Sequence, residues 1–154
     1  MDPLFQSMSV SASGMTAERF RMSLIANNLA NVDTTNTPGG GPFQRQEAIV
    51  AERSSDVWAA APTGAVDEPL LQGDSSGAGV EVVGVRTDTT QGGKTYDPGN
   101  PLADSHGYVQ QPNVSSISEM VDLMGAAQHY RANVTAIEDA KSMATAAIGI
   151  GKIA

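Results

Sequence analysis

Cysteine is absent from the 154 residues, which excludes disulfides, thiolate metal sites and thiol redox chemistry and leaves both reducing and oxidising compartments open. Aromatic side chains are scarce at 5%, and these normally supply much of the buried area in a core or a binding pocket. Basic residues are few: nine Lys and Arg stand against 17 Asp and Glu, a net charge of −8. A phosphate backbone needs clustered Lys and Arg, so nucleic acid is excluded as a partner. Apolar runs are short as well, none approaching the roughly 20 residues of a transmembrane helix, so no membrane insertion is expected. The N-terminal Met1-Asp2-Pro3 shows no basic region followed by an apolar stretch, and the expectation is export, if any, without a cleaved signal.

What the chain has instead is Ala, Gly and seven methionines. Small residues allow close helix approach, and Met adapts to irregular gaps. The charge is unevenly spread. Between residues 56 and 104 there are eight acids against Arg86 and Lys94, leaving −6, whereas each terminal region sums to −1. The ends are thus nearly neutral and suited to packing, while the acidic middle supplies solubility.

Those ends read as long helices. Asp2 is placed to cap the first and Pro3 to open it. Met8, Met15, Met22 and Leu29 recur every seven residues, joined by Leu4, Ala12, Ile25, Ala26 and Val32, a narrow seam of coiled-coil type. Ser13-Gly14 interrupts it and predicts a bend or local fraying, since a mid-helix Gly costs about 1 kcal/mol relative to Ala. The helix is expected to stop near Asn31. The second runs from about Ser116 to Lys152, with Ser116 and Glu119 at capping-box spacing. Its predicted seam is Met120, Leu123, Ala127, Tyr130, Val134, Ile137, Lys141, Ala144 and Ile148.

Between the helices, Gly39-Gly40-Gly41-Pro42 marks a break, and residues 43–51 and 80–87 are the strand candidates, the latter rich in Val. The fold class is therefore α+β: two long terminal helices paired antiparallel as a coiled coil, with a small β- and loop-rich middle. The division is residues 1–37 and 114–154 as a helical assembly domain and 38–113 as the middle, with a flexible stretch near 54–79.

Catalytic constellations are weak. His106 and His129 are the only histidines, and without Cys a zinc site would need carboxylates from elsewhere. Gly149-Ile150-Gly151-Lys152 falls short of a phosphate-binding loop, having Ala146 and Ile153 where Gly and Ser or Thr are required. The acids of the middle lie in polar surroundings that would not raise a carboxyl pKa. Trp58, the single tryptophan, reads as an anchor of the β region on the helices or as an assembly contact. No enzyme, cofactor or metal is expected. Asn27-Asn28-Leu29-Ala30-Asn31 is the least ordinary stretch, because three Asn in five positions make poor helix interior. Either they cap a helix C-terminus, or their amides bridge to neighbouring chains and fix register as buried Asn can in coiled coils.

The run from Ser23 to Thr34, built around that Asn motif, resembles the N-terminal signature of the bacterial flagellar axial proteins, the rod and hook subunits. Tyr96-Asp97-Pro98-Gly99-Asn100-Pro101-Leu102-Ala103-Asp104, Gly107-Tyr108-Val109, Pro112-Asn113-Val114, the segment Glu119 to Met124 and the segment Tyr130 to Val134 resemble the proximal-rod members. The resemblance implies a subunit of the drive shaft that crosses the periplasm, exported by the flagellar type III apparatus without signal cleavage. It also implies terminal helices that line the tube around the export channel and a middle that faces outward. Implied partners are copies of the chain, other rod proteins, adjacent membrane-ring or rod-junction proteins and the export machinery. The assembly interface expected on this basis comprises Met8, Met15, Met22, Ile25, Asn27, Asn28, Leu29, Asn31, Met120, Leu123, Met124, Tyr130, Asn133, Val134, Ile137 and Ile148. The alternative, from composition, is a secreted helical binding module that uses the acidic middle to hold a ligand.

Overall fold

The computed structural model describes residues 3–53 and 78–151. The predicted Asp2 cap, Trp58, most of the stretch near 54–79 and Lys152 lie outside those residues. The described elements are α1 (Pro3–Ala30), β1 (Gln46–Glu52), β2 (Val80–Thr87), β3 (Lys94–Tyr96), β4 (Tyr108–Gln110) and α2 (Ser116–Gly151). The α+β class, both long helices and β2 are as the sequence predicts. β1 begins three residues later than expected, and the short β3–β4 pair escaped the sequence reading because three-residue strands carry too little periodicity to register.

The helices pair antiparallel, one residue back on α1 for each residue forward on α2: Asn28 meets Glu119, Glu18 meets His129 and Gly14 meets Asn133. The contact seam differs from the predicted one. On α2 the covered residues are Glu119, Leu123, Ala126, Tyr130, Asn133, Ile137, Ala140 and Ala144, alternating in steps of four and three. The expected row of Leu123, Tyr130, Ile137 and Ala144 is present. Beside it Glu119, Ala126 and Ala140 are buried and Asn133 half-buried, while of the expected companions Ala127 and Val134 are half-buried and Met120 and Lys141 exposed. On α1 Ser13, Ala17, Ile25 and Asn28 are buried, and Val10, Gly14 and Leu24 are half-buried, as are Met8, Met15, Met22 and Leu29 of the expected seam. Small and polar residues win the seam because they let the backbones approach. A Cβ on Gly14 would sit 2.9 Å from the Asn133 amide nitrogen. α1 is also continuous through Ser13-Gly14, where the sequence predicts a bend or local fraying.

At about 1.5 Å per residue, α2 with its 36 residues outreaches the 28 of α1. With Gly14 opposite Asn133, Pro3 falls opposite Ala144, so residues 145–151 project beyond α1.

β1 and β2 form an antiparallel ribbon, Gln46 opposite Thr87 and Glu52 opposite Val80, with a bulge at Ile49/Val50. The ribbon lies on α1. Its Gln46 end is bonded to Asn28 and its Val80 end to Ser13. The lengths agree: fifteen helical residues from Ser13 to Asn28 rise about 22 Å, and six strand steps from Gln46 to Glu52 span about 20 Å. β3 and β4 pair separately, Tyr96 opposite Tyr108 with ring centroids 5.3 Å apart in an edge-to-face arrangement. The Gly39–Gly41 break is a tight turn in which Gly40 and Gly41 adopt φ of 85° and 77°, a region L side chains avoid.

Candidate functional site

The most enclosed polar cluster lies where the two helices and the ribbon meet. Asn28, on the last turns of α1, is 1% exposed, and Glu119, on the first turn of α2, is 0% exposed. Asn28 treats Gln46 as a strand neighbour would. Its Oδ1 accepts the Gln46 backbone N–H at 2.9 Å, and its Nδ2 donates to the Gln46 carbonyl at 2.9 Å and to Glu119 Oε2 at 3.0 Å. The other Glu119 oxygen accepts from Arg45 Nε at 2.5 Å. Arg45 then spreads its remaining donors to Glu47 and, at 2.9 Å, to Asp122, while Arg86 reaches the second Glu47 oxygen at 2.5 Å.

This arrangement overturns the capping-box reading. Ser115, not Ser116, precedes α2 and accepts the Ser118 N–H on its hydroxyl, and Glu119 turns inward to the guanidinium. A carboxylate gains more from a charge-assisted bond in a dry site than from a solvated backbone N–H. The electrostatics follow. The Glu119 hydrogen bond, aided by the surrounding carboxylates, raises the Arg45 pKa above its ordinary value against the effect of burial. The hydrogen bond from Arg86, ahead of the Arg45 charge, holds the Glu47 carboxyl below the usual range.

The backbone beside the cluster is fixed by Asn113. Its Oδ1 accepts the Arg45 N–H at 2.8 Å and its Nδ2 donates to the Asp88 carbonyl at 2.9 Å, while the Asp88 N–H donates to the Arg45 carbonyl at 2.8 Å. Arg45, Gln46 and Asn113 were not singled out individually from the sequence. Nothing in their spacing, 17 to 85 residues from Asn28, announces that they converge.

The Asn motif divides between its two readings. Asn31 ends α1, donating to the Asn27 carbonyl at 2.9 Å and its side-chain oxygen at 3.1 Å, and Thr34 donates to Asn31 Oδ1. Asn28 fixes register, but between elements of one chain. Asn27 is exposed and donates to the Gln46 side chain at 3.3 Å. Of the other expected interface residues, Ile25 is buried. Met8, Met15, Met22, Leu29, Leu123, Tyr130, Asn133, Val134 and Ile137 are half-buried, and Met120, Met124 and Ile148 are exposed.

Those exposed members belong to larger apolar patches. Near the polar cluster, Ile117, Met120, Val121 and Met124 crowd the first two turns of α2, with Ile117 75% and Met124 65% exposed. At the other end Phe5, Met143 and Ile148 are exposed to 65%, 59% and 64%. A monomer rarely leaves so many large apolar side chains in water without an interface to cover them. Among the described residues no group of three or more His, Asp and Glu is placed to hold a metal ion, and no described helix is long and apolar enough to cross a membrane.

Comparison with known proteins accounts for this layout. The family model described as "Flagella basal body rod protein" matches residues 8–36, and that described as "Flagellar basal body rod FlgEFG protein C-terminal" matches residues 105–150. The two matches take in most of α1 and α2. The chain is 39% identical to the flagellar basal-body rod protein FlgC of Borreliella burgdorferi, over 96% of this chain and 97% of that one. Identity to FlgC of Bacillus subtilis is 36%, over 96% and 98%, and to FlgC of Salmonella typhimurium 32%, over 97% and 98%. With near-full-length identity at this level, and with both helical ends matched, the chain belongs to the flagellar basal-body rod protein FlgC family, structural subunits of the rod.

Proposed function

We propose that the chain polymerises through the outer faces of its two terminal helices into the proximal rod, a hollow shaft that transmits torque and surrounds the export channel. The single observation that supports this most is the pair of exposed apolar patches at opposite ends of α2, Ile117 to Met124 and Met143 with Ile148. Patches at different ends favour head-to-tail contacts, which propagate a helical assembly instead of closing a dimer. On this reading the expected division holds: residues 1–37 and 114–154 carry assembly and 38–113 face outward. The partners are copies of the chain, other rod proteins and adjacent ring or junction proteins. The place is the periplasm-spanning rod, reached through the type III export machinery.

No catalysis is part of this reading. The cleft beneath the polar cluster, lined by Arg21, Leu24, Asn28, Arg45, Glu47, Glu119 and Asp122 among others, has a volume of about 150 Å³. That is under the roughly 300–1,000 Å³ typical of a ligand pocket. The shallower cleft on the other side of Arg45, lined by Asp88, Asn113, Ile117 and Asp122 among others, measures about 480 Å³ and is open to the apolar patch of α2. The charged groups around Arg45 are also already paired with one another.

The test places Asp separately at Met124 and Ile148 in cells lacking the native subunit. Each variant is expected to keep its helix content by circular dichroism yet to fall at least tenfold in isolated basal bodies, with motility lost. Normal motility in both would overturn the reading. Removing residues 59–79 separates it from a ligand-binding module. A rod subunit retains assembly without them, whereas a module that binds through the acidic middle loses its function.

A further inference from the structure

The β1–β2 ribbon touches α1 through buried polar bonds at both of its ends. At one, the Asn28 amide closes on the Gln46 backbone, backed by Glu119 and Arg45. At the other, Ser13 is buried within the helix and its hydroxyl works in both directions. It donates to the Val10 carbonyl at 2.6 Å and accepts the Val80 N–H at 3.0 Å. Gly79, at φ 90°, makes the approach possible, since a Cβ there would stand 2.4 Å from the Ser13 hydroxyl. Gly79 also accepts the Arg53 N–H at 2.8 Å, which joins the far end of β1 to the same point.

The position of the second attachment is informative. Ser13-Gly14 is the weakest step of α1 by intrinsic preference: Gly costs about 1 kcal/mol in a helix interior and Ser competes for backbone bonds. A hydroxyl bonded back to a carbonyl of its own helix tends to bend it further. Yet α1 runs through this step unbroken. A Cβ on Gly14 would stand 2.9 Å from the Asn133 amide nitrogen, the tip of a side chain that can move aside, so Ala fits this step while a larger side chain would press the helices apart.

We propose that the ribbon is a splint: fastened at Ser13 and Asn28, it holds the weak step in helical form and keeps α1 continuous there, making this part of the helix and the ribbon one body. The strand and helix lengths between the two fastenings match, so neither element need stretch or bow. Losing one fastening weakens the hold on the step, and losing both frees the ribbon. The device belongs to the free chain, independent of what its outer faces dock against.

Hydrogen exchange of the full-length chain tests this, read at the α1 amides around residues 10–18 and at Val80. Ala is the better helix former, so a helix that stands on its own would exchange more slowly in Ser13→Ala. The splint predicts the opposite sign, with exchange about tenfold faster, as expected for loss of one buried hydrogen bond. Slower or unchanged exchange would overturn it. In a Gly14→Ala background, where the weak step is repaired, the effect of Ser13→Ala on α1 is expected to shrink severalfold, and an undiminished effect would count against the proposal. Combining Ser13→Ala with Asn28→Ala is expected to accelerate α1 exchange beyond the product of the single effects. A product or less would mean that the fastenings act separately and that there is no splint. Should the double variant fail to fold, the sign of the Ser13→Ala effect still decides.

Discussion

The two ends of the helix pair are built on opposite plans. At the Asn28–Glu119 end the helices finish level, and their last buried residues are an amide and a carboxylate whose bonding groups are engaged by β1 and Arg45. At the Pro3–Gly151 end α2 overhangs by residues 145–151, and Ile148 stands in solvent. Polar burial is costly unless each group is paired, and it then permits essentially one arrangement. Apolar exposure is undirected and accepts whatever surface covers it. The inner face of the first end is therefore closed by polar bonds within the chain, although Ile117, Val121 and Met124 stand exposed on its outer face. The second end has apolar exposure and, among its described residues, no such cluster.

Replacing Glu119 by Ala would break this contrast most severely. It strips partners from Arg45 Nε and from Asn28, and chemical denaturation is expected to show a loss of about 3 kcal/mol, the low end for a broken buried ion pair because the guanidinium is partly solvated. A loss below about 1 kcal/mol would mean that packing rather than polar bonding closes this end. Gly14→Leu ranks next. It would force the helices apart at Asn133 and is expected to cost about 1–3 kcal/mol by the same measurement. Gly14→Ala should be nearly neutral, because the Asn133 amide tip can move and the helix gains propensity.

Acid offers a gentler probe. The Glu47 carboxyl has its pKa lowered in the folded chain, first by the Arg86 hydrogen bond and then by the Arg45 charge. Its contribution is therefore present above the ordinary carboxylate value and lost as pH falls through the lower folded-state value. Stability to denaturant, and with it the protection of the Gln46 and Glu47 amides relative to their intrinsic exchange rates, should decline as pH falls below the ordinary carboxylate range, with the overhanging end of α2 unaffected. The smallest effect on folding is expected from Ile148→Asp, within about 0.5 kcal/mol of the parent chain. That variant sharpens the contrast, because incorporation into the rod should fail while denaturation of the isolated chain hardly changes.

Much of the fold is legible in the residues, and its failures share one cause. The two long helices and β2 follow from apolar periodicity and a run of Val. The methionine row of α1 is legible too and is half-buried, but the fully buried positions of the helix are Ser13, Ala17, Ile25 and Asn28. Sequence periodicity reports which residues share a stripe. It does not report which stripe meets the partner when small and polar residues can pack more closely than large ones. Glu119 shows the same limit. Spacing to Ser116 suggested a local cap, and only its proximity to Arg45, 74 residues away in the chain, draws it inward. Residues 54–77 lie outside what is described, so the expectation of a flexible loop there stands as an expectation.

By itself, then, the sequence determined the absence of disulfides, the two long neutral helices, the acidic middle and the family signature. These depend on composition and on neighbours a few residues apart. Only the tertiary structure decided that Asn28 binds Gln46 and Glu119, that Ser13 receives β2, and that the inner face of one end of the helix pair is closed by a polar cluster. Each of those depends on groups tens of residues apart becoming dry together, and a hydrogen bond gains its value only once water is excluded from both partners.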